Sequence, residues 1–316
     1  MIGVGKSGIF VLDSNGRISE TISNESFISN SNGCVISKNQ LCISQLDKAK
    51  LVFLANNQLF RASVPEIMTS LDFSSEGELL FCGSKSGKLY VWQVRLGNLL
   101  FCEQIFYNEI TDVKIDCNNS KLLLSSSNGD ICLVDLLALF SNKLVLKNYL
   151  GHTSHVLSVC NLLYGIHGGR VSFLSVSRDR NLRFWHHDNV NTVLSKQLSS
   201  NPIKMYKDKY SICCYITCED GNLITVNLND FSVNYSKLHG GPIYSFVELD
   251  NFITFGIDGV KIWDKSNHTL LKYHQSGISL NHLFGGQLPN SSFKFKLLKF
   301  HKQEDDLERY IVPLSM

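Results

Sequence analysis

The sequence predicts an all-β chain: a seven-bladed propeller whose ring is closed by N- and C-terminal strands sharing one blade. Three observations carry this prediction. Short runs of β-branched, aromatic and leucine residues alternate with Gly/Asn/Ser/Asp clusters, and helical periodicity is nearly absent. Five segments then look alike: KLYVWQV (88–94), DICLVDL (130–136), NLRFWHH (181–187), NLITVNL (222–228) and GVKIWDK (259–265). Aligned on Trp92, Val134, Trp185, Val226 and Trp263, they recur at intervals of about 40 residues, the length of a four-stranded blade.

Each segment follows a polar turn (SKSG, SSNG, SRDR, CEDG and GIDG), and each turn follows another apolar strand. This order assigns blades three to seven to 67–106, 109–149, 152–198, 202–238 and 240–274. A second blade spans 23–64, with CVISKNQLCIS and KLVFLANNQLFRAS as its strands. MIGVG, GIFVLD and RISETIS give the first blade three strands. The C-terminal FKFKLLKFH (293–301) alternates with period two and is the expected fourth, which would remove the open sheet edges. The domain expectation is one propeller over 1–305 and a short tail over 306–316. Seven blades fit best, with six and eight the neighbouring counts.

Composition sets the class. The chain has 316 residues, 44% hydrophobic and 18% charged, with a formal net charge of +2 and a pI near 8.0. That is globular, and it gives no global pull toward nucleic acid or anionic membrane. The N-terminal MIGVGKSGIFVLDSNG alternates like a strand, with Lys6 and Asp13 interrupting any apolar core, so a soluble intracellular protein is expected. Ten cysteines sit mostly in apolar runs without a CxxC pair, and read as reduced, buried side chains rather than zinc ligands.

The chemical-looking stretch is VSRDRNLRFWHHD (176–188). His186 and His187 are adjacent on a strand, so their side chains point to opposite faces and do not make one metal site. His152, Asp179 and Trp185 are expected to form a structural hydrogen-bond chain inside one blade. Arg178 and Arg180 flank Asp179 in its turn, and Arg170 ends an insertion around NLLYGIHGGRVS (161–172). These three arginines form the most basic local cluster, a candidate interaction surface balanced against plain solvated turns. Lys294, Lys296 and Lys299 read as guards of an exposed edge. GVGKS (3–7) is a hairpin turn, since a phosphate-binding loop needs a preceding strand and a following helix. No GxSxG or HExxH pattern occurs, so no catalytic residue, metal or cofactor is expected.

Gly151-His152, Asp179 and Trp185 resemble a full WD repeat, and Trp263-Asp264 keeps the WD dipeptide. SGKLYVWQVRLGNLL (86–100), ITDVKI, GHTSHVLSVCNLLYGIHGGRVSFLSVSRDRNLRFW (151–185), HGGPIYSFVEL (239–249) and FKFKLLKFHKQED (293–305) carry a closer likeness. Over about residues 67–305 the chain resembles the WD-repeat subunit of the nuclear complex that matures the large ribosomal subunit. That resemblance implies a non-catalytic scaffold, processing of the internal transcribed spacer of pre-rRNA, and nuclear residence in nucleolus and nucleoplasm. It also implies a helical-repeat scaffold as direct partner, with the pre-60S particle and the AAA ATPase midasin reached through it. Those proteins end in a longer helical tail suited to self-association. Here KQEDDLERYIVPLSM follows, with Pro313 limiting any helix, so the resemblance does not carry tail-mediated dimerisation over to this chain and leaves its oligomeric state open. The other reading is a generic WD-repeat adaptor in a ubiquitin-ligase or chromatin complex.

Overall fold

The computed structural model describes residues 1–285 apart from 14–15, 38–39, 56–57, 117, 142, 166–170, 208–210 and 275–279. Seven four-stranded antiparallel sheets form a seven-bladed propeller. Blade five shows the pattern, with strands Val156–Gly165, Val171–Ser177, Asn181–His186 and Asn189–Gln197 running from the channel to the rim. Turns between second and third strands share one face of the ring with the connections between blades; this is the turn face below.

The core is not central. It is divided into seven apolar layers, each between two neighbouring blades. A blade is therefore buried on both faces, which explains why its inner strands read as continuous apolar runs. Strand alternation sorts the side chains: Leu182 and Phe184 pack toward blade six, whereas Phe173 and Trp185 pack toward blade four. Outer strands such as Asn189–Gln197 are mostly exposed and polar. The one short helix among the described residues, Leu136–Phe140, starts at Asp135, whose Oδ1 accepts the Ala138 amide at 3.0 Å.

Ring closure differs from the sequence expectation. The fourth strand of blade one is His282–Phe284, which pairs with Ile2–Gly5 in the register Ile2↔Phe284 and Val4↔His282. FKFKLLKFH (293–301) lies outside the described residues, and the seat assigned to it is taken. The physical reason is proximity. SLNHLF is the first apolar run after blade seven, and Leu280 and Leu283 fill the layer between blades seven and one. Alternation marks strand propensity but does not say which run reaches an open edge first.

A second feature repeats without a sequence signature. In blades three to seven the innermost strand carries a register shift near its start: Met68/Ser70, Ile110/Asp112, Val156/Ser158, Pro202/Lys204 and Ile243/Ser245. Such bulges leave one residue unpaired and tighten the local twist. Three of the freed carbonyls have identified donors. Asn32 Nδ2 donates to Thr111 O at 2.9 Å and to Leu157 O at 2.8 Å, and the Tyr206 hydroxyl donates to Tyr244 O at 3.2 Å.

Asn32 belongs to segment 24–33, which joins blades one and two across the turn-face mouth of the channel. This segment is tied to many parts of the ring. Asn32 O accepts the Leu71 amide at 3.0 Å, Ser29 hydrogen-bonds His282 at 2.8 Å, and Lys204 Nζ donates to Ser31 O. Below it, Asp72 Oδ2 accepts the Ile115 amide at 2.9 Å, and Asp112 Oδ2 accepts Ser158 Oγ and the Val159 amide at 2.9 and 3.0 Å. Each of these carboxylates thus satisfies an inner-edge amide of the next blade. Lys204 is pushed down to about 8 by burial and by Lys114 nearby.

Candidate functional site

Blade five holds the most developed polar constellation. Its second strand supplies Ser175, its third supplies Trp185, and the turn between them supplies Asp179. The connection from blade four supplies His152. His152 Nδ1 lies 2.8 Å from Asp179 Oδ2, and its Nε2 lies 2.7 Å from Ser175 Oγ. Trp185 Nε1 donates to the same hydroxyl at 2.7 Å. One direction of donation satisfies every atom: Trp185 N–H to Ser175, Ser175 O–H to His152 Nε2, and His152 Nδ1–H to Asp179.

The electrostatics agree with a neutral imidazole. Burial lowers the His152 pKa, and the Asp179 carboxylate only partly offsets this. Burial by itself would raise Asp179. Hydrogen bonds from His152, the Asn181 amide at 2.9 Å and the Thr153 amide at 3.1 Å outweigh it and hold that carboxyl below its usual range.

Asp179, His152 and Ser175 have the connectivity of a hydrolytic triad. The surroundings oppose that use. Ser175 and Trp185 are both 0% exposed, and the serine oxygen is occupied by the indole N–H. A hydroxyl sealed there meets no substrate.

Ser175 has no sequence signal, being one of three serines in the strand Val171–Ser177. A second such network occupies blade seven, where the sequence marked Trp263 and its turn but not the histidine or the threonine. His239 contacts Asp258 through Nδ1 and Thr254 Oγ1 through Nε2 at 2.7 Å, and Trp263 Nε1 donates to Thr254 at 2.8 Å. Its histidine precedes a Gly-Gly pair instead of following a glycine, which hides it from a Gly-His search. Blade six keeps a shorter version: Ser200 Oγ donates to Asp220 at 2.8 Å, and Val226 stands at the tryptophan position.

Arg178 and Arg180 are exposed on the turn face, and Arg170 lies outside the described residues. The strand Val171–Ser177 leads into that turn, and the described part of the expected cluster is the Arg178–Arg180 pair. His186 and His187 diverge. His187 stacks on Phe173 with centroids 5.7 Å apart, whereas His186 Nδ1 accepts the Asp188 amide at 3.1 Å. Among the described residues no three His, Cys, Asp or Glu side chains group to hold a metal, and the nine cysteines there are free thiols. No helix there is long and apolar enough to cross a membrane.

The repeats and these Trp–Ser/Thr–His–Asp chains define the chain as a WD-repeat β-propeller. The family "WD domain, G-beta repeat" matches residues 59–93 and 143–186, the second range ending one residue past Trp185. The fold is shared with the WD40 β-propeller domain of Doa1, at a TM-score of 0.64 and 14% identity over 82% of this chain and 86% of that one.

More particularly, the chain is homologous to pre-rRNA-processing WD proteins. It is 27% identical over 193 residues to the pre-rRNA-processing protein IPI3 of Yarrowia lipolytica, covering 60% of this chain and 44% of that protein. It is 30% identical over 178 residues to IPI3 of Scheffersomyces stipitis, covering 51% and 32%. The matches thus span less than half the length of these curated relatives.

Proposed function

We propose that this propeller is a non-catalytic scaffold in pre-rRNA processing, needed for assembly of the large ribosomal subunit and removal of the internal transcribed spacer. The observation that carries the reading is homology to proteins named for pre-rRNA processing, over the repeats that build the ring. The sealed hydroxyls of Ser175 and Thr254 support the non-catalytic part, since both are 0% exposed. The mechanism is geometric. A closed ring with only short, protected strand edges holds its loops rigidly, and its two faces and rim offer separate docking surfaces.

In this reading the chain works in the nucleus, in nucleolus and nucleoplasm. Its direct partner is a helical-repeat scaffold subunit, and the pre-60S particle and a midasin-type ATPase are engaged through it. Direct contact with RNA is not required. Affinity purification of the tagged chain with mass spectrometry tests this. Recovery of the helical-repeat subunit and large-subunit precursors is expected, and depletion should accumulate spacer-containing pre-rRNA. Recovery of a ubiquitin ligase or a histone-modifying complex instead would replace it with the adaptor reading.

A further inference from the structure

Arg180 occupies a position that related turns reserve for glycine. In blades three, four and six the third turn residue is Gly87, Gly129 or Gly221, with φ of 91°, 104° and 83°. Each closes the same turn, its amide donating to Ser84 O, Ser126 O and Cys218 O. A Cβ at these glycines would lie 2.1, 2.5 and 2.2 Å from the carbonyl oxygens of Phe106, His152 and His239. Blade five makes the same closure, from the Arg180 amide to Ser177 O at 3.0 Å, with Arg180 at φ 60°. The left-handed backbone is free for glycine and strained for an L-residue. An arginine has no short polar side chain to relieve that strain, as Asn or Asp would. Local folding favours glycine here, yet the chain carries a long cation.

Arg178 and Arg180 are exposed, and neither side chain has a hydrogen-bond or ion-pair partner among the described residues. Asp179 between them forms no ion pair with either. Its Oδ2 is taken by His152 and the Thr153 amide, and its Oδ1 by the Asn181 amide. The result is two arginines on a turn braced from below, the arrangement that suits bidentate capture of carboxylates.

We propose that the Arg178–Arg180 turn docks a short acidic segment of a partner protein. This deepens the scaffold reading and rests on it only in making the ligand a protein. The neighbours decide between protein and RNA. Blade four brings Asp130 to its turn and blade six brings Glu219 and Asp220 to its own, so carboxylates flank the arginine pair on both sides. A continuous phosphate strand crossing several blades would meet that repulsion, and two isolated arginines give little counterion release. A short peptide confined to blade five avoids it. Leu150, 69% exposed, offers an apolar surface on the connection into the same blade. Segment 24–33 crosses the channel mouth on this face, tied to the inner strands through Asn32, so the blade turns stand apart from it as a docking surface.

The test is fluorescence anisotropy with three labelled probes: a short Asp/Glu-rich peptide, its Asn/Gln counterpart and a single-stranded RNA oligonucleotide. The full chain is compared with Arg178→Ala, Arg180→Gly and, as control, Lys85→Ala on the blade-three turn. The acidic peptide should bind, the Asn/Gln peptide should not, and each arginine variant should weaken binding about tenfold or more while Lys85→Ala leaves it unchanged. Arg180→Gly should melt at the same or a higher temperature, because it restores the residue the turn favours. No peptide binding, binding indifferent to the arginines, tighter arginine-dependent RNA binding, or a lower melting temperature for Arg180→Gly would each overturn the proposal. If peptide binding behaves as stated but purification recovers no large-subunit precursors, the ribosomal reading fails while this docking site stands.

Discussion

The Ser175 hydroxyl sits 2.7 Å from both Trp185 Nε1 and His152 Nε2, so one buried oxygen joins the third strand of blade five to the connection that enters it. Removing it leaves a donor and an acceptor unpaired at a site where Ser175 and Trp185 are fully buried. Ser175→Ala is expected to cost about 2–4 kcal/mol, the desolvation penalty of two buried polar groups. Urea denaturation reads this as a lower midpoint at unchanged slope. A loss below the error of the extrapolation would mean the chain is not a stabilising link.

Blade seven gives a sharper version, because its linking residue is a threonine. Thr254→Ser keeps the hydroxyl that meets His239 and Trp263, whereas Thr254→Val keeps the shape and loses it. Thr254→Val should cost about 2 kcal/mol or more, and Thr254→Ser under about 1.5. The ordering, measured in the same denaturation experiment, is the prediction. Equal losses would mean that packing rather than hydrogen bonding fixes this position.

How much of this was legible in the sequence depends on range. The blades were legible because a local pattern, strand–turn–strand with an aromatic at Trp92, Trp185 or Trp263, repeats along the chain. His152, Asp179 and Trp185 were legible because three unusual residue types fall at repeat-specific places. Ser175 and Thr254 were not, since a hydroxyl in an apolar strand is ordinary until a histidine is seen above it. Asn32 and the closing strand His282–Phe284 depend on contacts between distant parts of the chain, about which local periodicity says nothing. The glycine pattern at Gly87, Gly129 and Gly221 was visible in the sequence; its meaning at Arg180 required the backbone angle.

Acid should weaken the fold well before the carboxylates titrate. Burial lowers the pKa of His152 and His239, and pushes His187 down to about 4 and His282 down to about 3, all from an ordinary value of 6.5. The unfolded chain then takes up protons first. The stability these histidines contribute is complete above pH 6.5 and is lost as the pH falls toward the folded-state values. Asp179, held low, and Asp258, lowered to about 2, add stability that is present above 3.8 and lost below it. Melting temperature should therefore fall by roughly 5 °C or more between pH 6.5 and 4.5. A flat profile across that window would contradict the neutral, buried state of these imidazoles.

Segment 24–33 makes a claim about the ring as a whole, because Asn32 joins blades that do not neighbour its own. Asn32→Ala removes both amide bonds to Thr111 O and Leu157 O and leaves two bulge carbonyls facing the channel without that donor. Channel water can satisfy part of this, so the expected cost is about 1–3 kcal/mol. The distribution of the loss is more telling than its size. Hydrogen exchange should quicken at the Leu71 amide, bonded to Asn32 O at 3.0 Å, and at the Phe27 amide, bonded to Gly5 O at 3.0 Å. The Trp185 indole N–H, which bonds within blade five and away from the channel, should stay protected. Faster exchange confined to segment 24–33 would show a loop resting on the mouth, whereas spread into the inner strands of blades four and five would show that Asn32 ties the blades together.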